Sequence, residues 1–454
     1  MLNPKRIDFQ PFKYQSEART KQISLLQQHK CYMNLSSPGI GKTLMTIMLF
    51  TKSLSRLPIL IICPSQAKAV WEQQIEDFTK EYYNVVNLKN NPNKEIRKKK
   101  ELENAEIVII NYDIVGKWSN LLINKNFKMC FIDEAHYMQN KSSKRTKAVK
   151  TVTKSIEYKA AITATPIDSK VENLFPILDI IKPDLISYRQ FVDRFGVPST
   201  GFDGKIQYKE CRDTNDLHKF ISPYIIRYKK EEVLKDLPPI IPTIIPFEIS
   251  NKKEYLEASK GLLRFKNGEY QKCKNKLDIL PRITQLCLIS SKGKLKDGIE
   301  WIENFLQSGE KLVVMTRFNN TIDTLYEYFK DISVKYNGST SEKNKKLYEH
   351  RFNNDDSCRL FLGNIKAAGT SISLNKSCSN LVFFDLSFSS SENMQARDRV
   401  HRATSVCNCV NIYFFLAKNT IDEKIVDVNN RKLKMLTEIV DSKIDYQGII
   451  DYIK

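Results

Sequence analysis

The chain has 454 residues, 41% of them hydrophobic, which supports two or three globular domains and excludes a disordered chain. Lysine and arginine number 72 against 52 acidic residues, a net charge of +20. That balance leaves two readings open: a solvated lysine-rich surface, or a surface that faces phosphates. The ten cysteines are scattered, with only Cys407 and Cys409 close together and no C-x-x-C pair, which argues against a zinc site and a disulfide framework. They read as reduced core thiols of an intracellular protein, nuclear or cytoplasmic alike. No run of 18 apolar residues is present and the N-terminus carries no signal-peptide stretch, so no membrane association is expected.

Along the chain, short apolar runs alternate with helical stretches. They are ILIIC (59–63), EIVII (106–110), MCFID (129–133) and AAIT (160–163), then KLVVMT (311–316), RLFLG (359–363), LVFFD (381–385) and VNIYFFLA (410–417). Runs of this kind, bounded by polar turns, predict buried parallel strands in two α/β clusters. We expect three segments: 1–225, 226–290 and 291–454. The middle one is charged, has a helical pattern at 251–275, and holds LPPIIP (237–242), which reads as a linker. The basic stretch NKEIRKKKELEN (93–104) reads as a solvated helix or loop.

Three motifs carry chemistry. In SSPGIGKT (36–43), Gly39 and Gly41 let backbone N–H groups turn toward phosphate oxygens, with Pro38 and Ile40 between and beside them. Lys42 then reaches the β- and γ-phosphates and Thr43 ligates Mg²⁺. Ser36 stands where the pattern usually starts with glycine. Taken alone, the segment also fits an ordinary glycine-rich turn before a helix. In FIDEAH (131–136), about 90 residues on, Asp133 ends a strand and holds the metal, and Glu134 polarises the attacking water. In QARDRVHR (395–402), Gln395, Arg399 and Arg402 are spaced to share one face of a helix, with Arg397 off it as a surface residue. Arginines there can stabilise charge at the γ-phosphate. A basic amphipathic surface helix fits the same spacing.

With these segments in view, the chain resembles helicase superfamily two, and within it the Swi/Snf family of ATP-driven double-stranded DNA translocases. FKYQ (12–15) resembles the family's glutamine motif, which implies that Gln15 reads adenine. IICPSQAKAVWEQQIEDF (61–78) resembles the segment with a C-P turn and W-x-x-E/Q. DEAHYMQNKSSKRTKA (133–148) continues as the family does with N-x-x-S-K-x-x-K-A. TATPIDSKVENLF (163–175) resembles the coupling motif, implying a relay through Thr163 and Thr165. IIRYKKEEVLKDLPP (225–239) resembles the R-x-K…L-P signature, and 395–402 the Q-A-x-D-R-x-H-R motif. The chain departs from the pattern at Ser371, at Phe388 where a tryptophan is usual, and in HRATSV (401–406), which lacks I-G-Q.

The resemblance implies two tandem RecA-like P-loop lobes, α/β in class, with helical insertions at about 168–225 and 240–290. ATP and Mg²⁺ are the expected cofactors, and double-stranded DNA, gripped by its phosphates without sequence preference, is the expected partner. DNA contacts are implied at Ser65, Gln66, Asn111, Tyr112, Thr316, Arg317, Gly369 and Thr370. Tyr112 as a strand cap and Arg317 as a loop end are the competing readings. A strand-separating helicase on DNA or RNA remains the alternative. A nucleic-acid-binding scaffold with a dead ATPase is disfavoured by Lys42, Glu134 and Arg399. A compact motor of this kind is expected to be directed by a protein partner or by DNA structure.

Overall fold

The computed structural model describes residues 7, 9–50, 57–90, 92–94, 96–168, 170–200, 206–266, 279–369, 372–402, 405 and 407–441. Two compact units divide them. The first comprises the described residues up to Thr200, Ile206–Val233 and those from Met435; the second comprises Leu234–Lys434.

In the first unit the strands are β1 (Cys31–Asn34), β2 (Ile59–Cys63), β3 (Val85–Asn87), β4 (Ile107–Asn111), β5 (Met129–Asp133), β6 (Tyr158–Ile162), the hairpin pair β7 (Gly196–Thr200) and β8 (Ile206–Cys211), and β9 (Ile225–Ile226). Seven of them form a parallel sheet in the order β3-β4-β2-β5-β6-β1-β9. The central strands are apolar over most of their length because both faces enter hydrophobic cores. Leu60, Ile62, Val108, Ile110, Cys130 and Ile132 enter one core. Their neighbours Ile59, Ile61, Ile107, Ile109, Met129 and Phe131 enter the core on the other face. That is the period-2 alternation of a pleated strand.

The second unit holds β10 (Ile240–Phe247), β11 (Leu312–Thr316), β12 (Ser333–Tyr336), β13 (Leu360–Asn364), β14 (Asn380–Phe383) and β15 (Val410–Ala417), in the order β10-β15-β14-β11-β13-β12. All pairings are parallel. Val313, Met315, Phe361, Leu381 and Phe383 pack on one side; Leu312, Val314, Leu360, Leu362 and Val382 pack on the other. The α/β class and the two parallel sheets agree with the expected RecA-like lobes.

All eight apolar runs form strands. Two segments differ from expectation. Residues 240–247 are not a helical insertion but strand β10, paired along its whole length with β15. Its prolines, Pro242 and Pro246, disguise it in sequence. At a sheet edge a missing N–H is tolerated, and β10 is an edge. The helices Lys252–Lys266 and Ile279–Gly293 follow it. The 168–225 stretch is helical at Phe175–Ile181, Tyr188–Phe195 and Thr214–Ile221, but it also contains the antiparallel hairpin β7–β8. The basic stretch forms the helix Ile96–Asn104, as read.

Candidate functional site

In the first sheet, β5, β6 and β1 are neighbours, so the segments after them meet along one carboxyl edge, where open α/β sheets bind ligands. After β1 comes the loop Leu35–Gly41, then the helix Lys42–Ile47. Gly39 and Gly41 sit at φ 77° and 81°, a left-handed backbone that side chains strain. A Cβ on Gly41 would also stand 2.8 Å from the Gln15 Nε2. The Lys42 ammonium lies back across the loop and donates to the Ser36 and Ser37 carbonyls, both at 3.0 Å.

Gln15 is buried beneath this loop. Its amide donates to the Ile40 carbonyl (3.3 Å) and accepts from the Phe12 N–H (3.1 Å). The Tyr14 hydroxyl donates to the same Ile40 carbonyl at 3.0 Å. Gln15, the expected adenine reader, is therefore also a prop of the Leu35–Gly41 loop. On the loop's other flank, residues 226–228 extend the pairing. Leu35 N–H donates to the Ile226 carbonyl (2.8 Å), Ser37 N–H to the Tyr228 carbonyl (3.0 Å), and Tyr228 N–H to the Ser36 hydroxyl (3.1 Å). The Arg227 guanidinium donates to the Leu35 carbonyl (2.5 Å) and makes a two-pronged pair with Asp441 at 2.7 and 3.0 Å. Ser36 is thus fully buried and bonded on both sides, a reason for serine where the pattern usually has glycine.

Asp133 ends β5. Its carboxylate accepts from the Trp71 indole N–H (2.8 Å) and from the Glu134 N–H (3.0 Å). Burial pushes the Asp133 carboxyl up, and the adjacent Glu134 carboxylate pushes it further; the Trp71 bond and the Lys42 charge pull the other way. Glu134 has φ 51° and ψ 52°, a left-handed turn that swings its side chain out of the strand direction; 30% of that side chain is exposed. Its Oε2 lies 3.2 Å from His136 Nδ1, and the same ring nitrogen is 3.2 Å from the Thr163 hydroxyl, after β6. Thr163 Oγ1 accepts from the Thr165 N–H (3.2 Å), and the Gln139 amide donates to the Thr165 and Pro166 carbonyls. A chain of contacts therefore runs from the acid pair through His136 into the 163–166 turn. Trp71, His136, Tyr14 and Arg227 were not picked from sequence as site residues. The W-x-x-E/Q match marked Trp71, but nothing local assigns its indole to a carboxylate in a strand end 62 residues away.

The arginine segment belongs to the second unit, and one expectation about it fails. The helix Ser390–Arg397 stops before Arg399, and 398–400 form a turn. Gln395, Arg399 and Arg402 do not share a helical face. The guanidiniums nevertheless converge: Arg399 Nη1 and Arg402 Nη2 both donate to the Ile372 carbonyl, at 3.1 and 2.8 Å, and Arg402 Nη1 donates to the Ser373 hydroxyl at 3.2 Å. Their Nε atoms donate to the carbonyls four residues back, those of Gln395 and Asp398. Burial pulls the Arg402 guanidinium below its usual pKa. Arg397 is not a free surface residue: it donates to Asp398 at 3.1–3.2 Å, with 25% of its side chain exposed.

The residues expected against DNA differ widely in exposure. Ser65 and Gln66 are exposed, on the turn after β2. Asn111, Tyr112 and Thr316 are buried and committed inward. The Tyr112 hydroxyl donates to the Asp133 carbonyl (2.6 Å), the strand-capping alternative. The Thr316 hydroxyl donates to Asp385 (2.5 Å), inside a polar cluster where Lys294 meets Asp422 (2.7 Å) and Asp385 (3.2 Å). Arg317 is half-buried over the Phe318 and Phe388 rings, at 5.4 and 5.1 Å. Gly369 is buried. Thr370 and Ser371 lie outside the described residues, as do positions 403, 404 and 406 of the departing HRATSV stretch.

The SNF2-related domain family matches residues 14–290 of the chain, and the helicase conserved C-terminal domain matches residues 297–404. The chain belongs to the SNF2 family. Similar proteins include an uncharacterized ATP-dependent helicase of Mycoplasma pneumoniae, 27% identical over 95% of this chain and 42% of the relative. The DNA annealing helicase and endonuclease ZRANB3 of Bos taurus is 24% identical over 95% of this chain and 41% of the relative. The chain thus spans about two fifths of the length of these curated relatives. A solved SWI2/SNF2 ATPase core from Sulfolobus solfataricus, in complex with dsDNA, is 24% identical with a TM-score of 0.47, covering 98% of this chain and 95% of that one. No helix among the described residues is long and apolar enough to cross a membrane.

Proposed function

We propose that this SNF2-family ATPase is a DNA-dependent motor that translocates on double-stranded DNA and remodels DNA or protein–DNA complexes inside the cell. The observation that carries the reading is the carboxyl edge of the first sheet. A doubly left-handed phosphate loop with Lys42 lies there with an Asp-Glu pair that is linked through His136 to the 163–166 turn. Loop N–H groups and Lys42 bind the phosphates, Gln15 reads the base, and Glu134 takes the proton of the attacking water. Thr43 and Asp133 offer the hard oxygens that Mg²⁺ prefers, and a divalent cation relieves the carboxylate repulsion seen at Asp133. When bound, Mg²⁺ neutralises charge on the β- and γ-phosphoryl oxygens. Arg399 and Arg402, already converged on one carbonyl, supply positive charge to the transition state, with Gln395 beside them.

Support for duplex DNA comes from the N-x-x-S-K and R-x-K…L-P segments, from the net charge of +20, and from the DNA annealing helicase among the relatives. A recruiting protein partner completes the reading. The test compares ATP turnover with duplex DNA, single-stranded DNA and RNA at several salt concentrations. Strong stimulation by duplex DNA of any sequence, fading steeply with salt, is expected. Greater stimulation by single-stranded RNA would sink the reading and favour a strand-separating helicase.

A further inference from the structure

Lys230 has no role in the account so far, although it belongs to the R-x-K…L-P segment. It is 1% exposed, among the largest fully buried side chains of the protein. A buried ammonium is costly unless the groups around it compensate its charge. The segment that carries it is fastened to the phosphate loop. Ile226, Arg227 and Tyr228 bond the backbone at Leu35 and Ser37 and the Ser36 hydroxyl, and Lys230 begins the short helix that follows. Its Nζ and Cε lie 3.8 and 3.9 Å from where a Cβ on Gly39 would stand. Gly39 is the first left-handed residue of the loop, at φ 77°. Lys42 meets the loop from within, at the Ser36 and Ser37 carbonyls. Two ammonium groups therefore flank one short turn.

Resting on the ATPase reading above, we propose that Lys230 is a second phosphate-site cation: it holds the polyphosphate of the nucleotide from the Gly39 side of the loop, complementing Lys42. A left-handed glycine turn with two lysine ammonium groups beside it is matched to a polyanion, and a charged bond of this kind is worth roughly tenfold or more in affinity.

The test uses the full chain and measures binding of ATP, ADP, inorganic pyrophosphate and adenosine to wild type, Lys230→Met, Lys230→Arg and Lys42→Ala, with thermal melts alongside. Lys230→Met is expected to lose about tenfold or more in affinity for ATP, ADP and pyrophosphate, to keep its adenosine affinity, and to bind ATP with a weaker salt dependence. Lys230→Arg should restore most of the loss. An equal loss for adenosine and ATP, or unchanged ATP affinity, overturns the proposal in favour of a purely structural lysine. If Lys230→Met does not fold, Lys230→Arg decides: retained pyrophosphate binding supports a charge role, and lost binding in a folded variant refutes it. Unchanged ATP binding in Lys42→Ala would instead count against the phosphate-loop reading itself, so the two failures are distinguishable.

Discussion

The phosphate-loop edge of the first unit and the arginine segment of the second differ in what positions their functional side chains. In the first, regular structure does it. β1 delivers the loop, β5 delivers Asp133, β6 delivers Thr163, and the side chains inherit positions from a rigid parallel sheet. In the second, the helix ends at Arg397 and the guanidiniums are aimed by their own hydrogen bonds to backbone carbonyls. Spacing rules therefore work for one and not for the other. A residue at a strand end can be placed by counting; a residue past a helix end cannot.

The comparison breaks most visibly at Lys42. Lys42→Ala should weaken ATP binding and bring DNA-stimulated turnover to the assay floor, while the melting transition changes little, because the Lys42 ammonium donates to the Ser36 and Ser37 carbonyls of its own loop. Turnover near wild type would remove the phosphate loop from the mechanism. Arg402→Ala should reduce turnover by about 10³-fold or more while ATP affinity stays within a few fold. Loss of DNA binding with basal ATPase intact would make the segment a DNA-facing surface. Glu134→Gln should bind ATP and turn over roughly 10²–10⁴-fold more slowly, as expected when a general base is removed. Single-turnover rates with bound ATP measure it, and an unchanged rate assigns water activation elsewhere.

Smaller effects sharpen the contrast. Burial pulls the Lys294 ammonium down, yet Asp422 and Asp385 outweigh it and raise its pKa. Lys294→Ala leaves those carboxylates buried without their cation and should cost about 3–5 kcal/mol, read from denaturant unfolding. A neutral result would mean that the cluster is solvated. Arg397→Ala should change turnover least, within a few fold. A loss equal to that of Arg402→Ala would mean that the turn, not a particular guanidinium, is what matters.

The same contrast explains what was legible in sequence. ILIIC throughout, and MCFID up to its final Asp133, are apolar because both faces are covered, so they stand out. The edge strand β10 was hidden by Pro242 and Pro246, and the hairpin β7–β8 by polar positions facing solvent. The left-handed turns at Gly39 and Gly41 and the strand end at Asp133 were legible because backbone conformation and strand ends favour those residue types there. The arginine face was misread for a physical reason. The helix ends at Arg397, so Arg399 and Arg402 lie in and beyond the turn that follows, where helical spacing no longer sets which side chains share a face. Trp71 and Arg227 were missed because their partners, Asp133 and Asp441, are far away in sequence.

One consequence follows from the last described helix, Ile421–Asp441. Its residues from Met435 count with the first unit, where Leu436, Ile439 and Val440 are buried in the core and Asp441 grips Arg227. A fragment that stops at Val233 would carry a hole in its own interior and an arginine stripped of its carboxylate beside the phosphate loop. The halves of this gene are thus not separable cassettes. Recombination that exchanged everything after Val233 for a foreign second half would have to bring its own plug, and a peptide of residues 435–441 added in trans should raise the melting temperature of the truncated piece.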